Sequence, residues 1–498
     1  MKRSSWALLV RLAVAVMMAS LALPAVLLGT SSASASPQAS DPTVTGPVQP
    51  SSGIEPFTLS TSFNLSDVGY EQSEYFISGT ATSYVPSPGS SVTTNGQWSV
   101  TPDSTAPYET RVVVYRPIDP RKFNGTVMVE WLNDSGGLDD APDWVLSHNE
   151  LVRDGFAWVG VSAQAVGVDE LRGLDPDRYG SLSDPGDSYS YDIFSQAGQA
   201  VWDNSSLLGG LKPQHVIAMG ESQSADRLTT YIDAVAPLVN VYSGYLVHSR
   251  IGSPAQLSQS PQPTVSVPTS VQFRSDLSVP VFEFETETDV AGTTLYDRQP
   301  NTNQFRLWEV TGGSHFDYYG LFVGPTDTGN GQGAIANLAA MQNPPSAVTG
   351  LGTCAEPINT SGTHWVLDAA VWWLNQWVVN GLAPPIPPLM QVTTTPGEPV
   401  VFATDANGNV LGGVRTPQVD APVATLSGVG NSGGLGGFCA LFGRTIPFSP
   451  SQLAALYPTH QQFVLQWDAA TLTDLFGGYL LLPDALELEN SALVSQIG

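Results

Sequence analysis

From residue 126 onward, short apolar runs alternate with longer stretches of helical spacing. The runs at 126–132, 156–162, 215–219, 240–245, 280–285 and 305–310 are brief and rich in Val, Ile, Phe and Trp. Their length and β-branched content predict strands buried on both faces. Apolar residues at three- and four-residue spacing predict helices over 144–154, 191–208, 224–235 and 365–380. Gly155 and Gly381 stand just past two of these, where a helix C-cap takes glycine. Upstream, 74–81 and 108–116 read as antiparallel strands joined through turn-rich 86–95. Strands that alternate with helices imply a mostly parallel sheet with helices on both faces, an α/β architecture.

Two stretches break the rhythm. Residues 246–279 are rich in Ser, Pro and Gln, and 321–362 are rich in Gly and Asn. They read as insertions able to wall a site. The α/β domain is thus expected over 57–388. Residues 389–498 are read as a C-terminal extension packed on it.

Composition narrows the setting. Acids outnumber bases 45 to 18, a formal charge of −27. That excludes a phosphate backbone as partner, because nucleic-acid binding needs a basic face. Lys2 and Arg3 precede an apolar run over 6–28, and Ala33 and Ala35 give the small-x-small pattern of a cleavage site. Residues 1–35 are therefore expected to be a signal peptide, 36–56 a flexible mature N-terminus, and the protein secreted. No stable membrane span is expected after cleavage. The two cysteines, Cys354 and Cys439, are expected to pair in an oxidising compartment.

The candidate chemistry centres on Gly220-Glu221-Ser222-Gln223-Ser224, between a predicted strand and a predicted helix. A serine on such a strand–turn–helix junction is the setting of a nucleophile elbow, with Ser224 where glycine is commoner. A serine hydroxyl needs a base. In this arrangement the chain order is Ser, acid, His. That order removes His148, His215 and His248; His364 and His460 fall in or near helical or surface patterns and read as structural, which leaves His315, on a glycine-rich loop straight after the strand at 305–310. The acid is sought after the strand at 280–285, where Glu285, Glu287 and Asp289 crowd together. Asp289 is favoured because the loop has left the strand there, with Glu287 the alternative. An oxyanion needs backbone N–H donors. Gln223 is one candidate. The second lies in the loop 131–138, at Asp134 or, alternatively, Asn133 or Ser135. No metal or cofactor motif stands out, so none is expected. Gly428-Val-Gly430-Asn-Ser-Gly433 matches a dinucleotide pattern by letter, but no helix opens after it.

Several stretches together resemble the alpha/beta hydrolase domain proteins, many of them exported by actinobacteria. They are Glu74-Tyr-Phe-Ile-Ser-Gly-Thr-Ala, Phe123-Asn-Gly-Thr-Val-Met-Val-Glu-Trp-Leu-Asn, Gly136-Gly-Leu-Asp-Asp-Ala-Pro-Asp-Trp, Gly220-Glu-Ser-Gln-Ser-Ala, Glu287-Thr-Asp-Val and Arg306-Leu-Trp-Glu-Val-Thr-Gly-Gly-Ser-His. The likeness continues at 381–385 and 405–415 and so covers nearly all of the mature chain. It implies the α/β-hydrolase fold and a hydrolase, makes Ser224 an ordinary feature of the motif, and favours Asp289 as the acid. The expectation is a serine hydrolase acting on a carboxylic ester, on a small molecule or a polymer. An amidase, peptidase or acyltransferase with the same triad is the alternative, and a non-catalytic binding protein of the same fold the second.

Overall fold

The computed structural model describes residues 39–48, 60–250, 252–394 and 398–498. The expected signal peptide at 1–35 lies outside the described residues. Among these residues nine strands form one sheet: β1 Thr43–Thr45, β2 Tyr70–Pro86, β3 Val100–Pro117, β4 Thr126–Trp131, β5 Ala157–Val161, β6 His215–Glu221, β7 Gly244–His248, β8 Val281–Thr286 and β9 Phe305–Val310. The spatial order is β1-β2-β3-β5-β4-β6-β7-β8-β9. The first three junctions are antiparallel and the remaining five are parallel.

Every residue of β4, β5, β7, β8 and β9 is buried. This is why these strands read as continuous apolar runs instead of alternating ones. The two-residue period survives inside them as a choice between two cores. Met128, Ile217, Met219, Leu246 and Phe282 face one core. Val127, Val129, Val216, Ala218 and Val247 face the other.

Helices cover both faces. In chain order the main ones are α1 Pro142–Arg153, α2 Ala165–Leu174, α3 Ser190–Asp203, α4 Gln223–Thr230, α5 Glu287–Gly292, α6 Gln332–Gln342, α7 Thr363–Asn380, α8 His460–Gly477 and α9 Leu482–Val494. Trp144 of α1 and Trp365 of α7 pack in the first core. Phe194 of α3 and Leu228 of α4 pack in the second. Gly155 ends α1 with φ +75°, and a side chain there would place Cβ 1.9 Å from the Lys122 carbonyl oxygen.

The C-terminal region belongs to the same packing unit, Pro37–Gly498. Tyr479 stacks edge-on to Trp308 of β9 with centroids 5.2 Å apart. Arg153 of α1 pairs with Asp484 of α9 at 2.8 Å. Cys354 and Cys439 are joined by a disulfide with Cα atoms 5.5 Å apart. Among the described residues no helix is long and apolar enough to cross a membrane.

Some expectations need correcting. Within the stretch expected to be flexible, 36–56, Thr43–Thr45 is an edge strand paired with Phe76–Ser78, since its alternating Thr-Val-Thr suits an open sheet edge. The strand expected at 240–245 begins only at Gly244. Asn240 caps the preceding turn in a left-handed conformation, and Tyr242 packs in a loop with its hydroxyl donating to the Phe194 carbonyl. The helix expected over 224–235 is present, with α4 running to Thr230 and continuing unbroken as a π turn over Tyr231–Val235. The insertion at 321–362 carries α6, whose small residues had masked its helical spacing.

Candidate active site

Ser222 caps α4 with φ +60° and ψ −122°, a conformation that costs a side-chain-bearing residue about 1–3 kcal/mol. The turn is held from three sides. The Ser222 N–H donates to the His248 carbonyl at 3.0 Å. Asn133 Nδ2 donates to the Glu221 carbonyl at 3.0 Å. Ser224 Oγ donates to the Leu132 carbonyl at 3.1 Å. Ser224 therefore gives the elbow a tie that glycine would lack. At Gly220 an added Cβ would meet the Ser224 backbone at 3.1 Å, so residue 220 must stay small.

His315 stands on the loop after β9, and its Nδ1 lies 2.7 Å from Asp289 Oδ1. The other Asp289 oxygen accepts from the Thr286 N–H at 2.7 Å and the Thr286 hydroxyl at 2.6 Å. That capping box at the start of α5 fixes the carboxylate before the imidazole meets it. Glu287 goes elsewhere. It accepts the N–H of Gly312 at 2.7 Å and of Gly428 at 2.9 Å, which ties the His315 loop to the C-terminal region. Burial pushes the Glu287 carboxyl up to about 7 against the pull of those two N–H groups. Gly428 can approach only because it lacks a side chain, as a Cβ there would fall 2.3 Å from the Gly313 carbonyl oxygen. Glu285 lies beside the buried Arg250 at 3.8 Å.

The three candidates in the 131–138 loop differ in what their N–H groups do. Asn133 donates to the Asp140 carbonyl at 2.9 Å. Ser135 donates to Asn133 Oδ1 at 2.8 Å. The Asp134 and Gln223 N–H groups have no acceptor among the described residues. The Asp134 carboxyl is buried beside Asp139. Burial first, then that neighbour, pushes it up to about 10, so it is uncharged at neutral pH.

Two further features escaped the sequence. Glu221 Oε1 lies 3.3 Å from His315 Nε2. His248, set aside on chain order, pairs through Nδ1 with Asp143 Oδ1 at 2.7 Å. The position before the nucleophile accepts many residue types, so a glutamate there gave no signal of its own. Ser222 and His315 are only 5% and 4% exposed. Two surface hollows, one beside Tyr242 and Arg274 and one beside Phe63 and Tyr115, include none of these residues. Among the described residues no cluster of three or more His, Cys, Asp or Glu side chains is arranged to hold a metal.

A family model described as alpha/beta hydrolase domain matches residues 44–490. The chain belongs to that family. The α/β hydrolase also resembles solved structures in part. Fungal esterases from Rhizomucor miehei share 15% identity over 34% of this chain and 43% of theirs, with a TM-score of 0.19. Acetyl xylan esterase 1 from Thermoanaerobacterium sp. JW/SL YS485 shares 14% over 42% and 52%, at 0.22. A Xanthomonas campestris α/β serine hydrolase without a lid shares 14% over 47% and 83%, at 0.26. The chain thus spans about half the length of the first two. A search of curated proteins returned no match. The family match alone carries the assignment to the α/β hydrolases.

Proposed function

We propose that this hydrolase cleaves a carboxylic ester through an acyl-enzyme on Ser222, and that it works outside the cell. The observation that carries the reading is the His315–Asp289 pair, which lies against Glu221, the residue next to a serine on a strained strand-to-helix turn. In the first half-reaction Ser222 Oγ attacks the ester carbonyl while its proton passes to His315 Nε2. Asp289 keeps the imidazole oriented and stabilises the imidazolium. The carbonyl oxygen gains a negative charge and takes the Gln223 and Asp134 N–H groups as donors. Collapse of the intermediate breaks the bond to the alcohol, which leaves with the proton from Nε2. Water then repeats the sequence on the acyl-enzyme, returning the acid and free Ser222. An uncharged Asp134 carboxyl suits this role, since a carboxylate there would oppose the developing oxyanion.

The extracellular setting is supported by the Cys354–Cys439 bridge and by the pattern of residues 1–35. The test is turnover of p-nitrophenyl esters of graded acyl length by the mature protein beside Ser222→Ala. Turnover that vanishes in the variant supports the reading. A folded wild-type protein inert on every ester contradicts it.

A further inference from the structure

His315 has a carboxyl at each ring nitrogen. Asp289 holds Nδ1 at 2.7 Å, and Glu221 stands 3.3 Å from Nε2, the nitrogen that the proposed mechanism needs free. Glu221 ends β6 next to the nucleophile turn and is 3% exposed. Its Oε2 receives Asn133 Nδ2 at 3.4 Å, while Oε1, the oxygen nearest the imidazole, has no hydrogen-bond partner. The backbone of the elbow is tied at both Glu221 and Ser222, so the carboxyl cannot withdraw far.

We propose that Glu221 is a positioning residue that competes with Ser222 for His315 Nε2, so that the site switches on as pH rises. The inference rests on the serine-hydrolase reading. When this 3.3 Å approach closes to a hydrogen bond, either a protonated Glu221 donates to Nε2, or an ionised Glu221 accepts from a protonated Nε2. In both states one proton lies between the two side chains, and Nε2 cannot take the proton of Ser222. The base is free only after that proton has left the pair.

The surroundings hold the proton there. Burial is the largest influence raising the proton affinity of Glu221, followed by Asp143 on α1, Asp289 on α5, Glu130 on β4 and Asp140 before α1. His248, its in-register neighbour on β7, is engaged by Asp143. Asn133 is the neutral partner from the loop after β4.

The test follows the rate of Ser222 labelling by a fluorophosphonate probe across pH 5–9, which needs no knowledge of the natural ester. Wild type is compared with Glu221→Gln and with Glu221→Met, which also removes the buried polar group. The expected result is an acid limb lower by about one pH unit in both variants, so that labelling at pH 6 is about tenfold faster than in wild type. Coincident limbs overturn the inference and leave the serine-hydrolase reading standing. Folded wild type that is unlabelled at every pH overturns both. Should neither variant fold, Glu221→Asp, which draws the carboxyl back from Nε2, decides instead: an acid limb lower than in wild type supports the inference, and a coincident limb overturns it.

Discussion

Asp289 and Glu287 are two residues apart, yet they meet different partners, and a pair of conservative substitutions should pull the jobs proposed for them apart. In Asp289→Asn the side-chain oxygen can still accept from Thr286, whose N–H and hydroxyl lie 2.7 and 2.6 Å from Oδ2. The amide nitrogen then faces His315 Nδ1 and forces the wrong tautomer. Loss of the orienting carboxylate in a serine triad costs about 10⁴-fold in kcat. Stability should hardly change, because the capping box survives. Glu287→Gln should do the reverse. Above pH 7 the Glu287 carboxylate serves two buried glycine N–H groups, at 2.7 and 2.9 Å. One amide oxygen cannot serve both, and a buried donor left without a partner costs about 1–3 kcal/mol. The assay is kcat on p-nitrophenyl acetate together with urea melts at pH 8. The expected pattern is a collapse of kcat with an intact melt for Asp289→Asn, and a weakened melt with kcat within tenfold for Glu287→Gln. A collapse of kcat in Glu287→Gln, with Asp289→Asn active, would refute the assignment of the acid.

Three further outcomes are expected of the same molecule. Ser222→Gly should abolish activity and stabilise the fold by about 1–3 kcal/mol, since glycine accepts φ +60° without strain; a lower melting temperature would contradict this. Burial is the first cause that raises Asp317 to about 6, Asp184, Asp226 and Glu287 to about 7 and Asp474 to about 8. These folded values lie above the unfolded ones near 4, so their stabilisation is full below about pH 4 and is lost as pH rises through 6–8. Melting temperatures should therefore fall from pH 5.5 to pH 8.5, and a flat or rising series would contradict the burial of these groups. Reduction of Cys354–Cys439, which are 85 residues apart, should cost about 4.6 kcal/mol in the chain-entropy model, read from urea melts with and without reductant. An unchanged midpoint would show that the C-terminal region is held without the bridge.

The parallel core was legible because strands buried on both faces leave a plain trace, short apolar runs with glycine or polar breaks between them. The strand-to-helix turn at Ser222 was legible for a similar reason: a strand, a small residue, a serine and a helix follow one another within a few positions. What escaped depends on contacts between distant segments. Asp289 and Glu287 have like chemistry and neighbouring positions, and only the partners they meet, His315 in one case and Gly312 and Gly428 in the other, tell them apart. Asn133, Asp134 and Ser135 were equivalent as letters, and the bonds made by Asn133 and Ser135 leave the Asp134 N–H uncommitted. Glu221 and the Asp143–His248 pair converge from strands and a helix far apart in sequence. Tyr242 misled because an apolar residue that packs in a loop looks like a strand residue.

The central claim is that Ser222 is the nucleophile. Its most direct test is mass spectrometry of the mature protein after reaction with a fluorophosphonate ester, with fragmentation of the modified peptide. The account predicts one adduct, on Ser222, absent after Ser222→Ala and slowed at least a hundredfold after His315→Ala. An adduct on another residue, or none on folded protein, would contradict it.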